Sequence, residues 1–136
     1  MSTVGNDSAP MGQGEIGAEH QRMAELIQAL GALIRDRRSR DAILAAAHDL
    51  ASFSDLHFGH EKELMAATDY PATNAHLWEH RMLLDKLAML IHSLEYSEAG
   101  VSTYVIDFID RWFIDHVQGS DAELGAYLAG REGTTG

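Results

Sequence analysis

Cysteine is absent from this 136-residue chain, and basic residues are scarce in it. Without cysteine the chain can form neither disulfide bonds nor metal sites with thiolate ligands. Ten lysines and arginines stand against 21 aspartates and glutamates, which gives a formal net charge of −11 at pH 7. A surface that binds nucleic acid has the opposite sign because it neutralises phosphates, so we expect no nucleic acid as a partner.

Long apolar runs are also missing, and none approaches the roughly 20 residues that a helix needs to span a bilayer. No basic amphipathic stretch suggests binding to a membrane surface. Residues 1–17 have neither the basic start nor the apolar centre of a secretory signal. From these absences we expect a cytoplasmic protein with no membrane partner.

Apolar residues recur three and four positions apart along four segments, which predicts four amphipathic helices. No segment shows the strict alternation of a half-buried strand. Because the connections are short, neighbouring helices run antiparallel, and the sequence predicts an all-α fold, an up-down-up-down four-helix bundle. The predicted helices span residues 16–37, 40–67, 71–96 and 101–117, with a short helical piece over 121–128.

The length of the chain suits a single domain. Residues 1–14 are small, polar and rich in glycine, which predicts a flexible N-terminal arm. The bundle is expected over residues 15–130, and a polar tail over 131–136. Pro71 suits the first position of the third helix, and Gly119 is expected to end the fourth.

Eight histidines are unusual in so short a chain, and several lie on the predicted apolar stripes. His57 and Glu61 are four residues apart, as are His76 and His80, so each pair lies on one face of its helix. The turn at Pro71 makes these two helices antiparallel neighbours, which brings the pairs face to face. The inner stripes of the first and fourth helices add one histidine each, so the candidate metal ligands are His20, His57, Glu61, His76, His80, His116 and Asp121.

Asp121 follows His116 by five residues, which is the wrong spacing for one face of a regular helix. If the helix ends or bulges at Gly119, the carboxylate can turn back toward the same interior point. A single histidine on an apolar face is more often a hydrogen-bonded core residue. Seven buried polar groups without partners would each cost about 1–3 kcal/mol, so metal ligation is the better interpretation of the whole set.

Seven ligands suit two ions better than one, and the two carboxylates can bridge them because each has two oxygens. Nitrogen and oxygen donors without sulfur permit iron, manganese, zinc, copper or nickel. Structural zinc usually takes four ligands in a tetrahedron. The number of ligands therefore favours iron or manganese.

The order of these residues resembles the pattern of bacterial hemerythrins, which is H, then HxxxE, then HxxxH, then HxxxxD. The flanking segments HFGHEKELM, DYPATNAHLWEH and RWFIDHV are similar as well, and the resemblance covers about residues 15–128. It implies two iron ions per chain, in a non-haem di-iron centre with an oxo or hydroxo bridge that binds O2 reversibly. It also implies that His76, His80 and His116 hold one iron.

By the same resemblance, His20 and His57 hold the second iron, which keeps an open position for O2, and Glu61 and Asp121 bridge the two ions. Phe113 occupies a position beside the bound O2 where the family commonly has leucine, so we expect an altered pocket volume. The residues expected to form the apolar wall of this pocket are Ile27, Trp112, Phe113 and Val117.

Three functions remain open, of which reversible O2 binding as a carrier, store or sensor, without enzyme activity, is the leading one. A sensor would need a separate signalling partner. An enzyme acting on peroxide or nitric oxide is the alternative, although di-iron oxidases usually carry a glutamate on every helix and this set has two carboxylates. A histidine phosphotransfer module would use His60, with Lys62 nearby. We otherwise predict that His48, His60 and His92 are surface histidines outside the metal site.

Overall fold

The computed structural model describes residues 13–97 and 101–135. Within these ranges the chain is helical and contains no strand, so the predicted all-α four-helix bundle is confirmed. The fourth helix of the bundle is built from α4, a π-helical turn and α5, which follow one another without a break. The elements are α1 (Gln13–Arg35), α2 (Arg40–Ala67), α3 (Thr73–Tyr96), α4 (Thr103–His116), the π-turn (Val117–Asp121) and α5 (Ala122–Thr135).

Local capping fixes several of the helix ends. The Ser39 hydroxyl accepts a hydrogen bond from the Ala42 amide at 3.1 Å, which satisfies one of the free donors at the start of α2. The Ser102 hydroxyl caps α4 in the same way. Asp69 adopts a φ of 53°, a left-handed conformation that turns the chain away from α2. Pro71 therefore lies in the turn, and α3 begins at Thr73 instead of at the proline.

Gly119 does not end the fourth helix, contrary to the prediction. The turn Val117–Asp121 holds one extra residue and stays helical, and α5 continues from it to Thr135, well past residue 128. A π-turn accommodates an inserted residue without breaking the helix, because the hydrogen bonds shift to partners one residue farther away. The N-terminal arm predicted at residues 1–14 lies outside the described residues, apart from its last two positions, which belong to α1.

Two apolar clusters fill the interior of the bundle. The larger cluster joins all four helices and includes the fully buried Leu30, Leu50, Leu83 and Ile109. The smaller cluster lies toward the opposite ends of the helices. The candidate ligands lie between the two clusters and form a polar layer inside an apolar core. The smaller cluster consists of Ile16, Leu64, Met65, Tyr70, Leu124 and Leu128.

The helices are not packed equally closely around the bundle. α1 packs against α2 and α4, and α2 packs against α3, whereas α3 and α4 approach each other less closely than these pairs do. In the described part of the chain, no helix combines the length and the apolar character that crossing a membrane requires.

Candidate metal centre

The structure brings all seven candidate ligands together in the polar layer between the two clusters. Six of them are buried, and the seventh, His20, keeps 18% of its side-chain surface exposed. Glu61 is completely buried, and a carboxylate in that position must be compensated by positive charge.

The donor atoms form two groups, and within each group they all lie within 4.8 Å of one another. The three-histidine group contains His76, His80 and His116. The two-histidine group contains His20 and His57. Glu61 and Asp121 belong to both groups.

Each carboxylate directs one oxygen to each group. Glu61 Oε1 lies 3.0 Å from His80 Nε2 and 3.1 Å from His76 Nε2, whereas its Oε2 lies 3.3 Å from His57 Nε2. Asp121 Oδ1 lies 3.1 Å from His76 Nε2, and its Oδ2 lies 2.8 Å from His20 Nε2. Each carboxylate could therefore offer one oxygen to a cation in either group.

Many of these buried atoms lack a hydrogen bond despite their short separations. They include Nε2 of His20, His80 and His116, Oε2 of Glu61 and both oxygens of Asp121. The atoms converge on shared points and do not align donor to acceptor, so the short distances do not become hydrogen bonds. Leaving each buried polar group without a partner costs about 1–3 kcal/mol. Two divalent cations bound at those points would satisfy the whole set, so the donors fit a pair of metal ions.

The protonation of the site follows from the same contacts. Burial raises the pKa of Glu61, but close contacts with His20, His57 and the histidines of α3 outweigh burial and hold that pKa far below its usual value. The pKa of Asp121 is lowered in the same way, against the effect of burial. Burial lowers the pKa of His20, whereas its close contacts with the carboxylates of Asp121 and Glu61 raise it to about 9. His76 shows the same balance, with a pKa of about 9.

His80 behaves differently from its neighbours in the layer. Burial lowers its pKa, and the nearby His76 and His116 lower it further, so the imidazole is neutral at pH 7. Without metal ions, protons on His20 and His76 therefore offset negative charge on the two carboxylates. Burial lowers the pKa of His57 too, but its contacts with Glu61 and Glu19 raise that pKa overall. Divalent cations would replace those protons, because a metal-bound imidazole must be deprotonated at the ligating nitrogen.

The π-turn explains the spacing of His116 and Asp121. A turn with i to i+5 hydrogen bonds brings the fifth residue back over the first, so both side chains face the interior. Asp121 Oδ1 is 3.2 Å from His116 Nε2 as a result. Of the two arrangements that the sequence left open at Gly119, the structure shows the bulge.

Two glutamates outside the predicted set hold the ligand histidines. Glu19 Oε1 lies 2.7 Å from His57 Nδ1, and Glu79 Oε1 lies 2.7 Å from His116 Nδ1. A carboxylate accepts the Nδ1–H proton, which leaves the Nε2 lone pair of the imidazole free for a metal ion. The Ser120 hydroxyl donates to the second oxygen of Glu79 at 2.7 Å.

Sequence reasoning missed both glutamates, although the chain carries a usable signal. Glu19 directly precedes His20, and Glu79 directly precedes His80, so each glutamate neighbours one ligand and bonds to a ligand on another helix. His60 was predicted to be a surface histidine, and this is wrong in part. It is half-buried, and its Nδ1 lies 2.8 Å from Glu19 Oε2.

His48 and His92 are exposed, as predicted. They lie on helix faces directed away from the polar layer, and neither belongs to the two donor groups. The structure thus separates them from the ligand set.

The residues predicted to form the pocket wall lie at different parts of the site. Phe113 is directed at the two-histidine group, because its ring lies edge-on to the ring of His20 with 6.5 Å between centroids. Trp112 instead stacks on His116 in the three-histidine group, with 4.5 Å between centroids. Ile27 is buried in the larger apolar cluster. A further aromatic residue that the sequence did not indicate, Phe58, stacks on His80 at 3.8 Å.

A pocket of about 230 Å³ reaches the two-histidine group. Val117, the fourth predicted wall residue, lines it together with His20, Glu61 and Asp121. The rest of its lining is apolar or glycine and comes from the ends of α1 and α5. Small molecules can therefore approach this group of donors. In the three-histidine group, aromatic rings stack on His80 and His116.

Comparison with known proteins identifies the family. Residues 11–128 match the model of the hemerythrin HHE cation-binding domain. The chain belongs to the hemerythrin family. All seven clustered donors lie inside the matched hemerythrin domain, which is a cation-binding domain by description.

Named hemerythrins resemble the chain over most of its length. A bacteriohemerythrin of Stenotrophomonas maltophilia is 25% identical over 118 residues, which cover 87% of this chain and 76% of the relative. Hemerythrin-like proteins of Naegleria gruberi and Naegleria fowleri are each 28% identical over 119 residues, which cover 87% of both chains. No solved structure matches this hemerythrin chain.

Proposed function

We propose that the protein binds O2 reversibly at a di-iron centre, as a carrier, store or sensor and not as an enzyme. The observation that carries this proposal is the unequal division of donors between the two groups. Both groups share Glu61 and Asp121, but one has three histidines and the other has two. An ion held by the two-histidine group is therefore one protein ligand short, and the pocket of about 230 Å³ reaches that same group.

The residues present would hold two irons in named positions. His76, His80 and His116 would hold one ion, His20 and His57 the other, and the two carboxylates would bridge them. Two ferrous ions in these positions would supply two electrons to O2, one from each ion, and would recover them when O2 leaves. The similarity to a bacteriohemerythrin of Stenotrophomonas maltophilia supports this assignment.

The chain itself orients the ligand histidines and limits the access of water to the site. Glu19 and Glu79 fix His57 and His116 through their Nδ1 atoms, so the imidazoles cannot rotate away from the site. Phe113 places an apolar ring edge beside the two-histidine group. An apolar wall limits the access of water and protons, and reversible binding depends on that exclusion.

The two other candidate functions, a di-iron enzyme and a phosphotransfer module, explain fewer of the observed contacts. Di-iron oxidases present a glutamate from every helix, whereas this layer contains two carboxylates and five histidines. A phosphotransfer module needs an accessible histidine, and the Nδ1 of its candidate, His60, is occupied by Glu19. An enzyme acting on peroxide or nitric oxide is the alternative that the open pocket at His20 favours, since such reactants could enter there.

The test combines metal analysis with a visible spectrum. The chain is loaded anaerobically with ferrous iron, and we expect about two irons per chain because the donors form two groups. Exposure to air should produce a visible charge-transfer band that disappears when O2 is removed and returns when it is readmitted. One bound zinc and no iron would contradict the di-iron site. Steady turnover of peroxide far above that of free iron would favour the enzyme.

A further inference from the structure

The outer surface between α3 and α4 carries an unusual amount of exposed apolar side chain. Trp78 is 64% exposed, Met89 is 64% exposed and Tyr104 is 77% exposed, and Met82 lies between the first two on α3. Large apolar side chains scattered singly over a surface are ordinary, but a contiguous set marks an interaction site. The α3–α4 face is formed by Trp78, Met82, Met89, Tyr104, Phe108 and Trp112.

The apolar stripe of α3 follows a regular helical spacing. Trp78, Met82, Asp85 and Met89 succeed each other at intervals of four, three and four residues, so they form one line along the helix. The core-facing line, which includes Leu83 and Leu87, lies on the other side of α3. One helix therefore presents an apolar line to the core and a line of three apolar residues and Asp85 to the outside.

The face has both a projection and a cleft that could receive it. Trp78 projects at one end. A cleft of about 240 Å³ lies toward the other end, where Met89, Ser93, Tyr104 and Phe108 are among its lining residues. Trp78 and Ser93 are separated by about 22 Å along α3, at 1.5 Å per residue.

We propose that two copies of this chain form a symmetric dimer through the α3–α4 face. A two-fold axis between Asp85 and Lys86 runs the two α3 helices antiparallel. It places Trp78 at Ser93 of the second copy, inside the cleft, and sets Met82 against Met89 of the second copy. The same patch then contacts itself, as a two-fold interface requires.

The charges of the face agree with this register. The axis sets Asp85 opposite Lys86 of the second copy, and symmetry repeats the pair. Lys86 has its Nζ 4.7 Å from the Phe108 ring and pairs with no carboxylate among the described residues, so it is available to the second copy. The charged side chains on and beside the face comprise three cations and four anions, far closer to balance than the whole chain: Glu79, Arg81, Asp85, Lys86, Arg111, Asp115 and Glu123.

The size of the face suits a dimer of moderate affinity. α3 is about 36 Å long and two adjacent helices are about 20 Å wide, so each copy offers on the order of 700 Å². Standard protein interfaces cover about 800 Å² per partner. The contact also reaches the metal centre, because Glu79, His116 and Ser120 line the same cleft of about 520 Å³ as Trp78 and Trp112. A second copy over this cleft would shield the hydrogen bond between Glu79 and His116 from water.

The first experiment measures association of the full iron-loaded chain by sedimentation over about a hundredfold range of concentration. We expect the wild type to shift from monomer to dimer, and Trp78→Ala to raise the dissociation constant at least about tenfold, since buried tryptophans dominate interface energies. Leu56→Ala, which removes an apolar side chain that is 52% exposed on α2, is the matched control and should dimerise like the wild type. A wild type that stays monomeric throughout would leave the face to a different protein and overturn the proposal, as would a Trp78→Ala variant that dimerises normally.

The second experiment tests the register. Asp85→Lys should weaken the dimer, because the new lysine of each copy would lie opposite Lys86 of the other copy. Adding Lys86→Asp to this variant should restore the dimer, because each lysine would again face an aspartate. The absence of native cysteine allows a further check with single cysteines. A mixture of Met82→Cys and Met89→Cys chains should form disulfide-linked dimers, whereas Met82→Cys alone should not, since its own copies would lie about 10 Å apart along α3. Failure of both the charge rescue and the mixed cross-link would contradict this arrangement.

Discussion

The ring edge of Phe113 lies beside the two-histidine group, where the resemblance to other hemerythrins places the bound O2. Truncating that ring would enlarge the space next to His20 and admit water and anions. We predict that Phe113→Ala still binds two irons but loses its oxygenated form to the ferric state severalfold faster than the wild type. The decay of the visible band in air measures this, with iron content determined in parallel.

The control for that variant is Phe53→Ala, which truncates a partly buried phenylalanine of α2 that packs against the larger apolar cluster. Its decay rate should match the wild type. Equal decay in all three proteins at full iron loading would show that Phe113 does not protect the site.

Glu79 holds His116 in place, and this role can be tested separately from metal ligation. Burial raises its pKa, but the hydrogen bonds with Ser120 and His116 lower the pKa overall, so the side chain is ionised. We predict that Glu79→Gln weakens iron binding about 10–100-fold, because a neutral amide accepts the Nδ1–H bond of His116 more weakly and so makes the imidazole a poorer ligand. Competition with a chelator measures the affinity.

Glu95→Gln is the matched change at an exposed glutamate, which lies 3.8 Å from His48 and away from the polar layer. It should leave the affinity unchanged. If Glu79→Gln binds iron as tightly as this control, Glu79 does not support the metal site.

Among the helical elements, the π-turn is the one that brings Asp121 to the other candidate ligands. Gly119 has a negative φ, and a Cβ added there would meet nothing within 4 Å. The glycine is therefore not required by the turn. We predict that Gly119→Ala keeps both irons and raises the stability of the fold by about 0.5–1 kcal/mol, since alanine loses less conformational entropy than glycine in a helix.

Thermal melting and iron analysis of Gly119→Ala test this, and Gly59→Ala provides the comparison. Gly59 lies inside the regular α2 helix and also has open space at the Cβ position. Loss of iron in Gly119→Ala alone would show that the π-turn depends on glycine.

The helices also show how much of the fold could be predicted from the sequence. Spacing of apolar residues predicted four helices, and α2 begins and ends where it was expected, at Arg40 and Ala67. The end expected at Gly119 was wrong because glycine is only a common helix terminator, and the buried Leu124 and Leu128 keep the chain helical beyond it. Tertiary packing outweighs such local preferences.

The candidate ligands could be grouped from sequence because pairs four apart share a helix face. Glu19 and Glu79 could not be found in this way, since each bonds to a histidine on a different helix. Trp112 was assigned to the same wall as Phe113, but the two neighbours on α4 face different histidines, His116 and His20. Their directions follow from the rotation of α4 against its neighbours, which spacing along one helix does not specify.

For the whole molecule, the metal-free chain should show a distinctive dependence of stability on pH. His20 and His76 have ordinary pKa values of 6.5 and folded values of about 9. A raised pKa stabilises the fold fully below pH 6.5, and this contribution is lost as the pH rises through about 9. The pKa values of Glu61 and Asp121 are lowered, so their contribution is present above about pH 4.5 and is lost on acidification.

We therefore predict that the metal-free chain melts at its highest temperature between about pH 5 and 6.5 and at progressively lower temperatures toward pH 9. Circular dichroism melts in the presence of a chelator measure this. The iron-loaded chain should melt higher and depend less on pH over that range, because bound ions replace the two protons. A metal-free melting temperature that is constant from pH 6.5 to 9 would contradict the charge balance described for the site.

The division of the core into two clusters has a consequence for how the molecule opens. Hydrophobic contacts do not pass continuously from one end of the bundle to the other, because the polar layer interrupts them. Ions bound at that layer would hold the four helices together and couple both ends into one cooperative unit. Without ions, the smaller cluster, which includes Leu124, is not coupled to the larger one through the polar layer. The ends of the helices near it should therefore open as a separate unit. Amide hydrogens of α5 would then exchange with solvent long before those of the larger cluster.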